Sequence, residues 1–258
     1  MRAIAVTNQK GGVGKTTVTL NLATGLCEAG RPTLVVDLDP QGYATYGAGE
    51  SDRYEAEGPN LATALLEGEP ESLGELAVRV NDGFDLVPSH LDMLVAEPRM
   101  YAMRGRERRL AQVLATAGER WDYCLIDCPA SLGVLTDNAI VAAGEVLVPF
   151  KPDGLSLRAL ELLLDQIASI RQGLGVDPQP LGLVANMVDD TAIAKRALAD
   201  LAAAVPIPIL GTIRRRSALS SAWEKGRSII STEPISHGAI AYRELARAVI
   251  ATEAGERP

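Results

Sequence analysis

The chain has 258 residues, 47% apolar, 22% charged and only 4% aromatic, which excludes disordered and fibrous classes and leaves the core to aliphatic packing. Its 25 basic and 33 acidic residues give a net charge of −8, which argues against a surface coated in positive charge for permanent nucleic-acid binding. Three cysteines are too few for a disulfide framework, and the chain shows neither an apolar run of membrane-spanning length nor a secretory signal, so a cytoplasmic setting is expected.

In chain order, a strand is predicted over 3–7, then a glycine-rich turn and a helix over 16–29. Further strands are predicted at 33–37, 84–87, 123–127, 146–150, 181–186 and 208–213, and further helices at 106–117, 132–143, 155–174, 191–203 and 235–251. The strands are continuous apolar runs, as expected where helices cover both faces of a sheet. Over 155–174, Leu157, Leu160, Leu164, Ile167 and Ile170 recur every three or four residues, forming one stripe to face that sheet. The alternation predicts an α/β fold with a mostly parallel twisted sheet flanked by helices. Residues 47–82 break the pattern. They are acidic and punctuated by glycine and proline, with short helical pieces at 61–66 and 72–80, and read as an insertion on one domain spanning 1–252. Residues 253–258 read as a frayed tail.

The strongest local signal is Lys10-Gly11-Gly12-Val13-Gly14-Lys15-Thr16-Thr17, set between the first strand and the first helix. Glycines let backbone N–H groups close round phosphate oxygens, and the helix N-terminus adds a favourable dipole. Lys15 suits the β- and γ-phosphates and the Thr16 hydroxyl suits Mg²⁺. Gln9 stands where the general phosphate-loop pattern has its first glycine, and Lys10 is an additional lysine. Asp37 and Asp39 follow the second strand, Asp127 ends the strand at 123–127, and Asn186 ends the strand at 181–186. Phosphoryl transfer asks mainly for positioning and charge neutralisation, which two lysines, a metal and a water-orienting carboxylate supply. The bland alternative for the three aspartates is capping of strand-to-loop turns, and for Asn186 a turn-forming role.

The segment 10–17 resembles the deviant Walker A motif of the ParA/MinD superfamily of P-loop ATPases. Val35-Val36-Asp37-Leu38-Asp39-Pro40-Gln41-Gly42-Tyr43-Ala44-Thr45 resembles the second motif of that superfamily in its ParA form, and Tyr123-Cys124-Leu125-Ile126-Asp127-Cys128-Pro129 looks like its Walker B strand. Val87-Pro88-Ser89 and Glu97 match the ParA form more weakly. The resemblance covers about residues 1–250 and implies a P-loop NTPase fold, with ATP and Mg²⁺ as cofactors and slow, partner-stimulated hydrolysis. It implies that Gly11, Gly12, Val13, Gly14, Lys15, Thr16 and Thr17 cradle the nucleotide, and that Lys10 reaches across an ATP-bound homodimer to the partner's phosphates. By the same resemblance, Asp39 positions the attacking water and Thr16, Asp37 and Asp127 hold or support the metal. Asn186 contacts the adenine base and Arg215 lies near the adenosine.

Residues 213–227 carry five basic residues, Arg214, Arg215, Arg216, Lys225 and Arg227, against one acidic residue, Glu224. In the ParA resemblance this segment binds non-specific DNA from the ATP-bound dimer; otherwise it is a solvated charged loop. The resemblance further implies a ParB-like centromere-binding adaptor, a nucleoid-associated location, and partition of plasmid or chromosomal DNA. A second cluster, Arg104, Arg106, Arg108 and Arg109, reads mostly as a solvated face. Cys124 and Cys128 read as buried small hydrophobes. The amphipathic stretch 241–250 lacks the large apolar, basic-flanked face of a membrane-surface helix, so packing on the domain and no membrane partner are expected. With the phosphate loop starting at residue 10, no preceding DNA-binding domain is expected. The alternatives are a ParA-like positioner of a non-DNA cargo, a MinD-like membrane-associated division-site regulator, and a metabolic P-loop enzyme such as dethiobiotin synthetase.

Overall fold

Alternate residues of β1 (Arg2–Val6) are shared between two cores: Ile4 and Val6 turn to one face of the sheet and Ala5 to the other, and all three are fully buried. A strand with two buried faces must be apolar throughout, which is why the strands read as continuous runs. The molecule is described by a computed structural model covering residues 1–67 and 73–254. The other strands are β2 (Thr33–Asp37), β3 (Val78–Arg79), β4 (Asp85–Val87), β5 (Tyr123–Asp127), β6 (Glu145–Phe150), β7 (Gln179–Val188) and β8 (Ile209–Arg214).

Among the described residues these form one eight-stranded sheet in the order β3-β4-β2-β5-β1-β6-β7-β8. Every pair is parallel except β3 with β4 at the edge. Parallel strands all end on the same side, so Val6, Asp37, Asp127 and the ends of β7 and β8 share one edge. Strand order reverses beside β1, the position at which open α/β sheets form a crevice.

The helices are α1 (Lys15–Glu28), α2 (Tyr43–Gly47), α3 (Leu61–Glu67), α4 (Leu73–Leu76), α5 (Met93–Met100) and α6 (Arg109–Leu114) in the first half of the chain. α7 (Val134–Ala143), α8 (Ser156–Leu174), α9 (Ala192–Ala204), α10 (Ser217–Glu224), α11 (Ile229–Thr232) and α12 (His237–Ala251) follow. α1 and α10 to α12 cover one face; α3 to α7 cover the other, with α8 extending that cover over β6 and β7. The α8 stripe centres on Leu160, Leu163, Ile167 and Ile170, leaving Leu157 and Leu164 partly buried. Side-chain caps start α9 at Thr191, α11 at Ser228 and α12 at Ser236. The apolar stripe of α12, Tyr242, Leu245, Ala246 and Val249, is spent on packing within the core.

Three expectations change. The span 72–80 is not one helix: α4 covers Leu73–Leu76 and the chain then pairs antiparallel as β3, while Ser72 lies outside the described residues. The arginine cluster is not merely solvated. Arg109 donates to the carbonyls of Leu65 and Leu66, closing the C-terminus of α3, and Arg108 donates to Leu174 O. Glu253, expected in a frayed tail, pairs with Arg31 at 2.8 Å and accepts from the Tyr123 hydroxyl; residues 255–258 of that tail lie outside the described residues. In the last two cases the cause is a partner distant in sequence, whereas β3 pairs with the strand that directly follows it.

Tyr242 is fully buried, and among the described residues its hydroxyl has no hydrogen-bond partner. An orphaned hydroxyl costs its desolvation without return, so Tyr242→Phe should stabilise the fold by about 1 kcal/mol in urea or thermal denaturation.

Candidate active site

Asp37 and Asp127 end adjacent parallel strands in exact register, and both side chains are fully buried. Two adjacent carboxylates in a dry interior need donors. Asp127 accepts from Thr16 Oγ1 at 2.7 Å and Thr19 Oγ1 at 3.0 Å, both presented by the first turns of α1. Asp37 accepts from the Thr45 backbone N–H and hydroxyl, each at 2.7 Å. Burial pushes the Asp127 carboxyl up to about 6. Burial, and then the neighbouring Asp127 charge, pushes Asp37 well above the usual carboxylate range.

The loop between β1 and α1 arches over this pair. Gly14 has φ +86, and a Cβ there would stand 2.2 Å from Asn186 Nδ2, so both the turn and the close approach of Asn186 require glycine. Gly14 leaves α1 without a side-chain cap, so its first N–H groups are free to meet an anion. Gly11 and Gly12 have no side-chain or backbone neighbour where a Cβ would stand. Lys15 is 8% exposed and forms no ion pair among the described residues. Burial pulls its pKa down, and Asp127, Cys128 and Asp39 pull it back up.

These groups face a cleft of about 610 Å³, lined by Gly11, Gly12, Gly14, Lys15, Thr16, Thr17, Asp39 and Asn186 together with Tyr43, Arg215, Arg216 and Trp223. A polyphosphate fits it: open backbone N–H groups, an unpaired buried ammonium and an uncapped helix start converge on one concavity. A magnesium ion fits the oxygen donors beneath, Thr16, Asp37 and Asp127.

Not every expected residue lies on the cleft. The Val13 side chain is buried inward, and its carbonyl accepts from Asn186 Nδ2 at 2.8 Å. Asn186 therefore props the phosphate loop with its amide nitrogen, leaving its buried Oδ1 without a partner among the described residues. Lys10 does not line the cleft; its ammonium pairs with Asp153 at 2.5 Å. Asp39 lines the cleft, its carboxylate accepts from Gln41 N–H at 2.9 Å, and burial raises its pKa.

The basic residues separate. Arg215 and Arg216 line the cleft, and Arg215 pairs with Asp189 at 3.4 Å. Arg214 and Lys225 are exposed away from it. Arg227 is not part of an exposed basic face: Asp82 takes its guanidinium at 2.7 Å.

Some residues of the site left no readable mark in the sequence. Asp153 lies 143 positions from Lys10, and Trp223 lies 180 from Tyr43, whose carbonyl it meets. Thr19 follows Thr16 at helical spacing, a signal for a second hydroxyl facing the same carboxylate. Met187, with φ +53, sits in the irregularity of β7 beside Asn186, and strain of that kind collects at functional sites.

The raised carboxyls fix the sign of a pH dependence. The folded state holds protons that the unfolded chain, with carboxyls near 3.8, has already released. Stability of the nucleotide-free protein therefore falls as pH rises from about 4 through the folded-state pKa of Asp127, about 6, with the raised Asp37 adding a loss of the same sign. Thermal denaturation should show a lower Tm at about pH 7.5 than at about pH 5, and a larger stabilisation by Mg²⁺·ADP at the higher pH. Equal stabilisation at both would contradict the assignment of the pair.

A family model described as an AAA domain matches residues 1–177. The chromosome-partitioning ATPase Soj of Thermus thermophilus is 38% identical over 253 residues, covering 97% of this chain and 96% of that protein. The sporulation initiation inhibitor protein Soj of Bacillus subtilis is 32% identical over 252 residues, covering 97% and 98%. Among solved structures, cobyrinic acid a,c-diamide synthase of Mycobacterium smegmatis, with a bound ATP analogue and magnesium, has a TM-score of 0.84 at 34% identity, covering 100% of this chain and 98% of that one. Similarity that runs the length of both sequences, on one shared fold, makes this chain a member of the ParA/MinD family of P-loop ATPases, working with ATP and Mg²⁺.

Proposed function

We propose that the protein is a DNA-partition ATPase that dimerises on ATP, binds DNA without sequence preference as the dimer, and is released when a ParB-like adaptor stimulates hydrolysis. The observation that carries this reading is the division of labour between the two loop lysines. Lys15 is buried in its own cleft, whereas Lys10 stands outside it, tethered to Asp153. A second lysine outside its own cradle suits the phosphates of a second copy. The name of the T. thermophilus relative, a chromosome-partitioning ATPase, supports the partition role.

In this reading the backbone N–H groups of 11–16 and the Lys15 ammonium hold the polyphosphate. Mg²⁺, held beside Thr16, Asp37 and Asp127, would neutralise phosphate charge. Asp39 orients the attacking water, whose addition to ATP yields ADP and phosphate. Asn186 keeps the loop in shape and offers its unpaired Oδ1 to the base. Arg214, Arg216 and Lys225 are the exposed basic groups for DNA phosphates; Arg215 sits at the nucleotide, and Arg227 is spent on Asp82. Two such patches on one dimer bind with avidity that a monomer lacks. The cell site is then the cytoplasm, on the nucleoid.

Retention on DNA and phosphate release, measured with Mg²⁺·ATP at low salt and no acceptor substrate, test the reading. Asp39→Ala should hold DNA in ATP with little turnover, whereas Lys10→Ala should lose dimer and turnover together. Arg214→Ala should keep ATP binding and reduce the salt slope of DNA binding by about one. Wild type that never binds DNA under these conditions would overturn the DNA role. Turnover that requires an added acid acceptor would favour an amide-forming enzyme like the M. smegmatis relative.

The tether gives a separate expectation. Asp153→Ala frees Lys10 from a partly exposed ion pair of modest strength, so half-maximal dimerisation should need about two- to fivefold less ATP. Light scattering against ATP concentration measures it, and an unchanged midpoint would show the pair to be incidental.

A further inference from the structure

The Asp39 carboxylate accepts from Gln41 N–H of its own loop, so its place in the cleft is set by where that loop sits. On the sheet side the loop is well held. Ser89 Oγ donates to Asp39 O at 2.7 Å, and the Tyr54 hydroxyl donates to Pro40 O at 2.6 Å. Gly42, with φ +66, closes the turn by donating to Asp39 O at 2.9 Å, and α2 begins at the next residue. The loop and α2 therefore form one piece, anchored on the sheet side by Ser89, Tyr54 and the Thr45 bonds to Asp37, while its cleft side needs a hold of its own.

Trp223 is that hold. It stands in α10, half-buried on the rim of the cleft, and its indole Nε1 donates to Tyr43 O at 3.2 Å. The Tyr43 and Trp223 rings lie 6.5 Å apart with planes inclined at 58°, within the favourable range for a tilted aromatic pair. At the other end of α2, Gly47 leaves room for the indole: a Cβ there would lie 2.1 Å from Nε1 and 2.4 Å from Cδ1. Just beyond, Gly49 and Gly226 bring their backbones together so closely that a Cβ on Gly226 would meet Gly49 Cα at 2.6 Å. Three small residues thus seat the segment after Asp39 against α10 and the turn that follows it, with the indole wedged between.

We propose that Trp223 is a positioning residue for ATP hydrolysis, clamping α2 to α10 and thereby fixing where the Asp39 carboxylate meets the nucleotide. The inference rests on the reading of Asp39 as the water-orienting group. Trp223 acts through the main chain of Tyr43, and its effect therefore falls on the chemical step more than on ATP affinity. A displacement of the order of an ångström at a reacting centre is enough to slow it strongly.

Steady-state turnover and ATP titration calorimetry on Trp223→Phe, Gly47→Ala, the double variant and Asp39→Ala test the clamp. Trp223→Phe keeps an aromatic ring and removes the N–H; Gly47→Ala displaces the indole from the opposite side. Each should lower kcat about tenfold with KM for ATP within about twofold of wild type. The double variant should lose no more than the worse single, because both break one contact. Intrinsic fluorescence adds a readout independent of rate. The chain has two tryptophans, so the wild-type spectrum minus that of Trp223→Phe isolates Trp223, and Mg²⁺·ATP should shift it. A wild-type kcat in Trp223→Phe overturns the proposal, as does a raised KM with unchanged kcat, which would mark a base contact instead. Additive losses in the double variant overturn it too. If Asp39→Ala abolishes turnover while Trp223→Phe does not affect it, the clamp alone fails; if Asp39→Ala turns over normally, the role of Asp39 itself falls.

Discussion

Two carboxylates side by side in a dry interior are the constraint from which the rest of the site follows. Asp37 and Asp127 are brought together by the parallel register of β2 and β5, and neither reaches solvent. Left alone, such a pair repels itself and pulls up protons. The fold answers with hydroxyls and an N–H: Thr16 and Thr19 from α1, Thr45 from α2. Thr45 in turn receives the Ser89 N–H, tying β4's exit to the same network. In the proposed function a divalent cation would relieve what these donors leave, which would make cofactor binding and the local stability of the sheet edge one problem.

The same network explains how a loop can hold the Asp39 carboxylate in a fixed place here. Asp39 is two residues beyond Asp37, and the chain between them cannot move without disturbing the buried acid and Thr45. Further along, Tyr54 fills the space beside Gly42, and Trp223 fills the space beside Gly47. Glycine matters at both places because the ring of a residue from elsewhere in the chain occupies the volume its side chain would need. The phosphate loop is supported by the same device, with Asn186 under Gly14. Loops supported by packed neighbours hold catalytic geometry nearly as well as strands do.

Charge is distributed to the same end. The chain is acidic as a whole, and part of its basic segment is neutralised internally, Arg227 by Asp82 and Arg215 by Asp189. What remains exposed and without an ion pair among the described residues, Arg214, Arg216 and Lys225, is a small basic complement on an acidic body. A patch of that size gives weak, salt-sensitive attraction to a polyanion, and in the proposed dimer its doubling would give a switch rather than a coating.

The sequence by itself determined the elements whose signal is local. Continuous apolar runs marked the covered strands, 3.6-residue stripes marked α8 and α12, and Lys10 to Thr17 marked the phosphate loop, because backbone conformation and helix start are properties of a few adjacent residues. Asp37 and Asp127 were legible for the same reason, each ending a strand that reads plainly, and Asp39 because it lies two residues beyond one. Only the tertiary structure decided the partnerships. That Asp153 holds Lys10, that Asn186 spends its amide on Val13, that Asp82 removes Arg227 from the basic face, and that Trp223 reaches Tyr43 all depend on residues more than a hundred positions apart. Those pairs are set by the strand order of the sheet and the lengths of its crossovers, which no short window of sequence contains.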